Sequence, residues 1–329
     1  MCIDIKQANI SNPAWEDAGN HKYRDRLSYI CSLLPYFEQG ALFEQVSENA
    51  RHPGLAQGSD PNSPNPYGDG CFIVPWHIGN YNAKGGGQAL TPFAAKIGTL
   101  VCPSTANVPS GVDIPGGLSY AGCRGDLWID WNWNEGRGMF GHGIHTLHTM
   151  SSMSDGTSNC VIISEAVIAP SSSSQKIKGG TAANLPKQNN VGPPGECLAR
   201  RGGNGALVGE ICDQGGTQQH GRRWGDACAL FSQFFTILPP NSPSCASTNN
   251  NESWIMRAAS SEHTGGVNTL IGDGAVVFIS DTIATANLDK TPADFGADQN
   301  NPQWYTGPSI YGVWGSLGTI SGGESVAIP

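Results

Sequence analysis

The stretch SSEHTGGVNTLIGDGAVVFISDTI, residues 260–283, predicts a β-hairpin. Two short apolar runs, VNTLIG and AVVFIS, flank the dipeptide Asp273-Gly274, and this pattern favours a two-residue type I′ turn. Such a turn would pair Ile271 with Val276 and Leu270 with Val277, so both faces of the hairpin would carry apolar groups. We therefore expect the hairpin to belong to a sheet that is covered on both sides.

The same stretch contains His263 and Asp273, a histidine and a carboxylate that could suggest acid–base chemistry. A strand over residues 267–272 would span about 20 Å at roughly 3.3 Å per residue, with Asp273 at its turn and His263 beyond its other end. The two side chains would then be too far apart to share a proton. We expect Asp273 to bond nearby backbone in the turn, and His263 to anchor the entry to the strand.

The composition is typical of a globular protein that is rich in loops. The chain has 329 residues, of which 38% are hydrophobic, and it contains 44 glycines and 22 prolines. Those glycines and prolines indicate many turns, so we expect strands and loops to outweigh helix. The formal net charge is −9, and no sustained run of basic residues occurs, since Arg200-Arg201 and Arg222-Arg223 are only isolated pairs. Nucleic acid is therefore excluded as an expected partner.

Ten cysteines are present, and no two of them have the C-x-x-C spacing. This argues against a zinc ribbon and against a thioredoxin-type redox motif. Disulfides formed in an oxidising compartment are the preferred interpretation. Cys197, Cys212, Cys228 and Cys245 follow one another closely enough for local bridges. Buried free thiols are the alternative, and the sequence leaves it open.

Hydrophobic periodicity predicts one helical region near the start of the chain and several short strands. Residues 24–50 repeat apolar side chains at intervals of three and four, and Pro35 divides them into two short helices with a break near Leu34. The predicted strands lie within residues 96–104, 117–126 and 161–167, and residues 311–326 predict a closing strand or hairpin.

Six segments, in the same order, resemble one known family. They are SLLPYFEQGALFEQ (32–45), TLVCPS (99–104), SYAGCRGD (119–126), SDGTSNCVIISEA (154–166), FTILPPNSPSC (235–245) and YGVWGSLGTISGGE (311–324). Together with His263 and Asp273-Gly274, which match an H-x9-DG motif, they resemble the planctomycete group known as DUF1559 proteins. Members of that group look like type IV pilins or type II secretion pseudopilins.

The resemblance implies an α+β fold, in which a pilin-like antiparallel sheet packs on the remnant of an N-terminal helix. Residues 1–23 would be a stub that follows an apolar helix encoded upstream with a prepilin leader, since residues 2–10 resemble the stretch after that helix. Residues 24–329 would form one globular domain with loop-rich insertions at about 52–92 and 170–226.

The resemblance further implies a non-enzymatic structural protein, located extracellularly, at the cell surface or in the periplasm. Its partners would be other pilin-like subunits or copies of itself, with an extracellular glycan or protein ligand as a further expectation. It would contact a membrane only through the N-terminal helix. The sequence agrees in lacking a G-x-S-x-G elbow, a Walker loop and a dinucleotide fingerprint, so we predict no catalytic residues.

A competing interpretation rests on residues 126–138, where Trp128, Trp131 and Trp133 stand among carboxylates up to Glu135. Tryptophans beside carboxylates can form a ligand surface for sugars, and paired carboxylates can hydrolyse glycosides. The chain would then be a secreted carbohydrate-binding or glycan-hydrolysing domain. The preferred interpretation is that these tryptophans fill the core or an interface.

Two further groups could bind metals. His142, His145 and His148 would share a side of a helix and could bind a transition metal, although nearby glycines disfavour a helix there. Another group, Asp155, Ser158 and Asn159, offers oxygens close together, as a calcium loop does. The preferred role of this second group is a turn that caps its own backbone. We expect no cofactor other than this candidate Ca²⁺.

Overall fold

A computed structural model describes the protein over most of its length. The described residues are 27–51, 92–106, 108–109, 115–128, 136–141, 148–171, 174–185, 192–213, 219–249, 254–298, 305–324 and 326–328. The predicted stub at residues 1–23 and nearly all of the insertion at 52–92 lie outside them. None of the helices within these ranges has the length and hydrophobicity that crossing a bilayer requires.

Short helices and short strands make up the regular structure. The α-helices are α1 (Tyr29–Leu33), α2 (Gly40–Arg51), α3 (Pro194–Leu198), α4 (Ala229–Ser232) and α5 (Gly312–Gly318). The strands are β1 (Tyr120–Cys123), β2 (Val161–Glu165), β3 (Thr181–Ala182), β4 (Gln233–Phe234), β5 (Ser244–Ala246), β6 (Ile255–Met256), β7 (Gly266–Ile271) and β8 (Val276–Ser280).

The predicted break in the first helical region is confirmed. Helix α1 ends at Leu33 and a 3₁₀ turn follows at Leu34–Phe37, with Pro35 in its first turn. Proline is tolerated there because its missing N–H would have no intrahelical partner. Glu38 then adopts a left-handed conformation, with φ of 61°, and α2 begins at Gly40. The 3₁₀ turn and the left-handed Glu38 thus separate two short helices.

The main sheet has five strands in the order β4-β1-β2-β7-β8. Its neighbouring pairs are antiparallel except for β4, which pairs with β1 in parallel. A smaller sheet has the order β3-β5-β6. Few short helices and two mixed sheets establish the predicted α+β class.

The β7–β8 hairpin forms where it was predicted, but its predicted register is wrong by one residue. Leu270 pairs with Val276 rather than Val277. The loop is closed by the N–H of Ile271, which donates to the carbonyl of Ala275 at 2.8 Å. The loop therefore has three central residues ending in Gly274, whose φ is +95°. This is the geometry of a type I turn completed by a left-handed glycine, not of a type I′ turn.

The prediction that both faces of the hairpin are covered is also wrong for β8, the edge strand of the sheet. Val276 is 68% exposed and Phe278 is 49% exposed, whereas Ile279 on the opposite face is buried. Only one face of β8 therefore packs against the protein core.

Different elements cover the two faces of the main sheet. Trp314 and Leu317 of α5 pack with Val267 and Ile279 on one face. On the other face, α1 packs beside β1, where the rings of Tyr29 and Phe140 lie 4.5 Å apart. The predicted closing strand at residues 311–326 is thus wrong, because Gly312–Gly318 is helical. The predicted strand at 96–104 is wrong too, since Gly98–Leu100 forms a 3₁₀ turn.

A separate apolar cluster surrounds the smaller sheet and contains the disulfide Cys197–Cys245, which joins α3 to β5. This bridge confirms part of the disulfide prediction. Five other cysteines in the described ranges are free thiols, so the alternative interpretation applies to them: Cys31, Cys102, Cys123, Cys160 and Cys212.

Candidate functional site

Three side chains from distant parts of the chain meet beside the main sheet. Nε2 of His263 lies 3.1 Å from Oε1 of Glu165, and Sγ of Cys102 lies 3.9 Å from the same oxygen. One ligand-type atom from each residue lies within 4.8 Å of the other two. We refer to Cys102, Glu165 and His263 as the CEH cluster.

Glu165 is the last residue of β2, and strand pairing fixes its carboxylate. The register pairs Ser164 with Thr269, which places Asn268 of β7 beside Glu165. The backbone N–H of Asn268 donates to Oε2 at 2.8 Å, and its side-chain amide donates to the same oxygen at 3.2 Å. Only 7% of the Glu165 side chain is exposed. These bonds offset the cost of burying a carboxylate and leave Oε1 directed toward Cys102 and His263.

His263 is held by the loop that leads into β7. The hydroxyl of Ser261 accepts a hydrogen bond from the His263 N–H at 3.1 Å and donates to the Gly266 carbonyl at 2.7 Å. Gly265 adopts a φ of +83°, which a residue with a side chain rarely tolerates. The imidazole remains 39% exposed. It is therefore fixed through its backbone yet accessible from solvent.

Cys102 follows the 3₁₀ turn Gly98–Leu100 and is tied to the sheet by backbone bonds. The N–H of Ser119 donates to the Leu100 carbonyl, and the N–H of Ala166 donates to the Ser119 carbonyl, both at 2.8 Å. The N–H of Thr105 closes a turn onto the Cys102 carbonyl at 2.9 Å. These bonds bring a half-buried thiol to the end of β2.

A small pocket opens beside Cys102 and Glu165 of the CEH cluster. Besides Cys102 and Glu165, it is lined by Thr105, Ser119 and Ser260. The hydroxyl oxygens of Thr105 and Ser119 are buried without a hydrogen-bond partner among the described residues. An unpaired buried hydroxyl is costly in a folded protein. These two residues are therefore the unpaired polar groups nearest to the CEH cluster in the pocket lining.

Tyr120 adjoins this arrangement because it pairs directly with Glu165 across β1 and β2. Burial raises the pKa of Tyr120, and the negative charges that Cys102 and Glu165 can carry raise it further. The surroundings of Tyr120 thus disfavour a negative charge on its phenolic oxygen.

Thiol, imidazole and carboxylate can serve either as a catalytic relay or as metal ligands. A relay places the histidine between the nucleophile and the carboxylate, so that each imidazole nitrogen contacts one of them. Here the thiol and Nε2 of His263 both approach Oε1 of Glu165. The convergence on one point suits a metal better than a proton relay.

The predicted motif residues His263, Asp273 and Gly274 do not form one site. His263 contacts Glu165, whereas Oδ1 of Asp273 accepts the Ala275 N–H at 2.9 Å. This bond and one from Ser158 lower the pKa of Asp273. Asp273 and Gly274 shape the turn, and His263 alone belongs to the CEH cluster.

The candidate calcium residues make structural hydrogen bonds. The carboxylate of Asp155 accepts the N–H groups of Gly322 and Gly323 at 2.7 and 3.0 Å. The side-chain amide of Asn159 donates to the Asp155 carbonyl at 2.8 Å. Asp155 therefore fixes a segment near the end of the chain, and calcium binding with Ser158 stays a prediction.

The other predicted site residues lie only partly within the described ranges. His148 is half-buried, and burial lowers its pKa; His142 and His145 lie outside the described residues. Trp128 is 2% exposed and packs in the core around the smaller sheet. Trp131 and Trp133 also lie outside the described residues.

A comparison with protein-family models matches residues 11–286 to the family described as a protein of unknown function, DUF1559. The chain belongs to the DUF1559 family. Among curated proteins and among solved structures, no match was found. Three of the segments that carry the DUF1559 resemblance each supply one residue of the CEH cluster: TLVCPS supplies Cys102, SDGTSNCVIISEA supplies Glu165, and the H-x9-DG motif supplies His263.

Sequence reasoning missed Cys102 and Glu165. Both residues lie in segments that resemble the DUF1559 family. The available signal was that three such motifs each contain a residue type that binds metals: a cysteine, a glutamate and a histidine. The spacing could not reveal the cluster, because 63 residues separate Cys102 from Glu165 and 98 separate Glu165 from His263.

Proposed function

We propose that this DUF1559 protein is a non-enzymatic, pilin-like or pseudopilin-like structural subunit of the cell surface or periplasm. Its globular domain would be displayed from an N-terminal helix and would contact like subunits. The proposal combines the segment resemblance with the architecture of the described residues.

The packing of α1 on the main sheet is the observation that carries this proposal. The hydroxyl of Tyr29 donates to the Tyr120 carbonyl of β1 at 3.1 Å. The N–H of Ser28 donates to the Gly225 carbonyl at 2.9 Å, and the Ser28 hydroxyl bonds the Trp224 carbonyl. The start of α1 is therefore fixed to the domain, and Leu27 and Ser28 before it are extended. The proposed N-terminal helix would accordingly be a separate element that precedes them, with α1 as the short helix that packs on the sheet.

The competing function, a carbohydrate-binding or glycan-hydrolysing domain, receives less support. Trp128 is buried in the core. Asp126 is fully buried, and Nη1 of Arg137 pairs with its carboxylate at 3.0 Å. Neither side chain is available to a sugar, so this function would rest on Trp131, Trp133 and Glu135, which lie outside the described residues.

The pilin-like proposal is tested in the source cell with the complete gene. Antibodies against the 329-residue chain are applied to sheared surface material, periplasm, membranes and cytoplasm, and the mature N-terminus is sequenced. We expect the protein in the surface or membrane fraction, with a prepilin-type cleavage immediately before an apolar helix. Cleavage of an ordinary signal peptide, or a cytoplasmic location, contradicts the proposal.

A glycan array and a hydrolase screen on the purified chain test the competing function. We expect neither binding nor hydrolysis. Sugar binding that is abolished by Trp131→Ala but retained in Trp254→Phe, a conservative change of another tryptophan, would favour the carbohydrate function instead.

A further inference from the structure

We propose that the CEH cluster binds one Zn²⁺ through Sγ of Cys102, Oε1 of Glu165 and Nε2 of His263. This proposal goes beyond the structural role and does not depend on it. It would assign a binding role to the histidine of the H-x9-DG motif.

The distances in the cluster are close to those of a zinc site. Tetrahedral Zn²⁺ with ordinary bond lengths places nitrogen and oxygen ligands about 3.4 Å apart, and sulfur about 3.6 Å from either. The observed separations are 3.1 Å from Nε2 to Oε1 and 3.9 Å from Sγ to Oε1. The sulfur and nitrogen lie within 4.8 Å of each other. Closing that last separation requires a movement of at most about 1.2 Å, which rotation of the Cys102 side chain can supply.

The donor set selects the class of metal. Calcium and magnesium prefer oxygen ligands, and a thiol is a poor ligand for them. Thiolate, imidazole and carboxylate are the three protein ligands of zinc, and three such ligands are typical of sites that keep one position open. Of the divalent metals that favour sulfur and nitrogen, zinc accepts tetrahedral geometry without a redox change. Zn²⁺ is therefore the metal that best fits this cluster.

Charge supports the same assignment. Among the described residues, the buried Glu165 carboxylate has one basic side chain within ion-pairing distance, the imidazole of His263. Zinc binding would convert the Cys102 thiol to a thiolate. The bound cation would neutralise the negative charges of this thiolate and of the Glu165 carboxylate.

Residues around the cluster hold the proposed ligands in place. Asn268 binds Oε2 of Glu165 through two N–H groups, so Oε1 remains directed toward the other ligands. Hydrogen bonds of this kind from neighbouring residues commonly tune metal affinity. Asn268 is thus a positioning residue for the proposed zinc site.

The pocket provides room for the fourth ligand. It is lined by Cys102 and Glu165 together with Ser119 and Thr105, whose hydroxyls have no partner among the described residues. The open position would therefore accept water or a small oxygen ligand.

Metal titration of the full 329-residue chain, purified without an affinity tag and stripped with a chelator, tests the proposal. We expect one equivalent of Zn²⁺ to bind and to raise the thermal unfolding temperature in a saturable manner. Cys102→Ser and His263→Gln should each weaken zinc binding by more than about 100-fold, and Asn268→Ala by about 10-fold. Circular dichroism verifies that each variant is folded.

Cobalt substitution identifies the ligands directly. Bound Co²⁺ should show thiolate-to-metal charge-transfer absorption, which is lost in Cys102→Ser. Two matched variants outside the cluster, Cys212→Ser and His148→Gln, should retain both the absorption and the zinc affinity.

Three outcomes would overturn the proposal. The first is no stoichiometric zinc binding by the folded chain. The second is zinc binding that survives Cys102→Ser and His263→Gln but is lost in His148→Gln, which would place the site at the other histidines. The third is peptide mapping that finds Cys102 in a disulfide in the native protein.

Discussion

Asn268 donates two hydrogen bonds to one carboxylate oxygen of Glu165, from its backbone at 2.8 Å and from its side chain at 3.2 Å. This relationship links β2 to β7 at the point where the strand pairing approaches the loop containing His263. It fixes a buried carboxylate whose other oxygen contacts His263. The same bonds that stabilise the sheet therefore also orient the CEH cluster.

Replacement of Glu165 should destabilise the fold even without any metal. In Glu165→Ala the N–H of Asn268 loses its buried acceptor, and an unsatisfied buried donor costs about 1–3 kcal/mol. Urea denaturation of the metal-free chain measures the free energy of unfolding. Glu262→Ala is the matched control, because Glu262 is an exposed glutamate on the adjacent loop, and it should change stability by less than about 0.5 kcal/mol. Equal effects in the two variants would show that Asn268 does not depend on Glu165.

Gly274→Ala should destabilise the hairpin by about 1 kcal/mol, because Gly274 has a φ of +95° and alanine is strained there. An added Cβ would meet no atom within 4 Å, so backbone strain alone is responsible. Gly40→Ala is the control, since its added Cβ also meets no atom within 4 Å but its backbone is helical. Thermal unfolding should show a loss only for Gly274→Ala. An unchanged Gly274→Ala protein would refute the three-residue loop.

His220 should make stability fall in weakly acidic solution. Burial, aided by the positive charge of Arg257, lowers the pKa of His220 well below its usual value. The unfolded chain therefore takes up a proton below pH 6.5 that the folded chain does not. The contribution of neutral His220 to the free energy of unfolding is therefore complete above that pH. Below it, this contribution falls by up to about 1.4 kcal/mol per pH unit, until the folded-state pKa is reached.

The variant His220→Gln separates this contribution from that of other groups. Glutamine can still bond Thr181, whose hydroxyl lies 2.8 Å from Nε2 of His220, but it does not titrate. Denaturation between pH 7.5 and 5 should give a shallower pH dependence for the variant. If stability depends on pH equally in the variant and in the unaltered protein, His220 takes up its proton as readily in the folded chain as in the unfolded chain.

Removal of the Cys197–Cys245 bridge should lower stability by about 4 kcal/mol, because the bridge closes a loop of 48 residues in the unfolded chain. The variant Cys197→Ser/Cys245→Ser, compared with the oxidised protein by urea denaturation, measures this effect. Cys212→Ser is the control, since Cys212 is a free buried thiol of the same apolar cluster. If Cys212→Ser loses as much stability, the effect in the double variant comes from altered packing and not from loss of the cross-link.

Cys102 should react first among the free thiols of the described residues. Burial raises the pKa of Cys31, Cys123 and Cys212 to about 12 and that of Cys160 to about 11, and only the thiolate is nucleophilic. Cys102 is half-buried. Brief alkylation of the metal-free native protein at pH 8, followed by peptide mass spectrometry, should label Cys102 ahead of those four. Uniform labelling would contradict the buried positions of the other thiols.

The sequence alone determined the elements whose signals are local. The amphipathic repeat in residues 24–50 predicted two helices with a break near Leu34, and both formed. Strands β1 and β2 lie within predicted strands. The hairpin was predicted because Asp273-Gly274 separates two apolar runs. Helical periodicity, strand alternation and turn chemistry act over a few residues, so one sequence is sufficient to recognise them.

Tertiary packing decided what local signals could not. Residues Gly312–Gly318 look unlike a helix because glycine is a poor helix former, yet they form α5 against the sheet. A Cβ at Gly318 would lie 1.8 Å from the Thr236 hydroxyl oxygen, so glycine permits the close approach. The hairpin register likewise depends on the bond between Ile271 and Ala275, which a dipeptide motif does not reveal.

The candidate site shows the same division. His263 could be selected from the sequence because it begins a recognisable motif, but its partner was not the nearby Asp273. Strand pairing and the ladder through Ser119 bring Cys102, Glu165 and His263 together across 161 residues of chain, from 102 to 263. Convergence of this kind is a property of the folded backbone, and no spacing in the sequence encodes it.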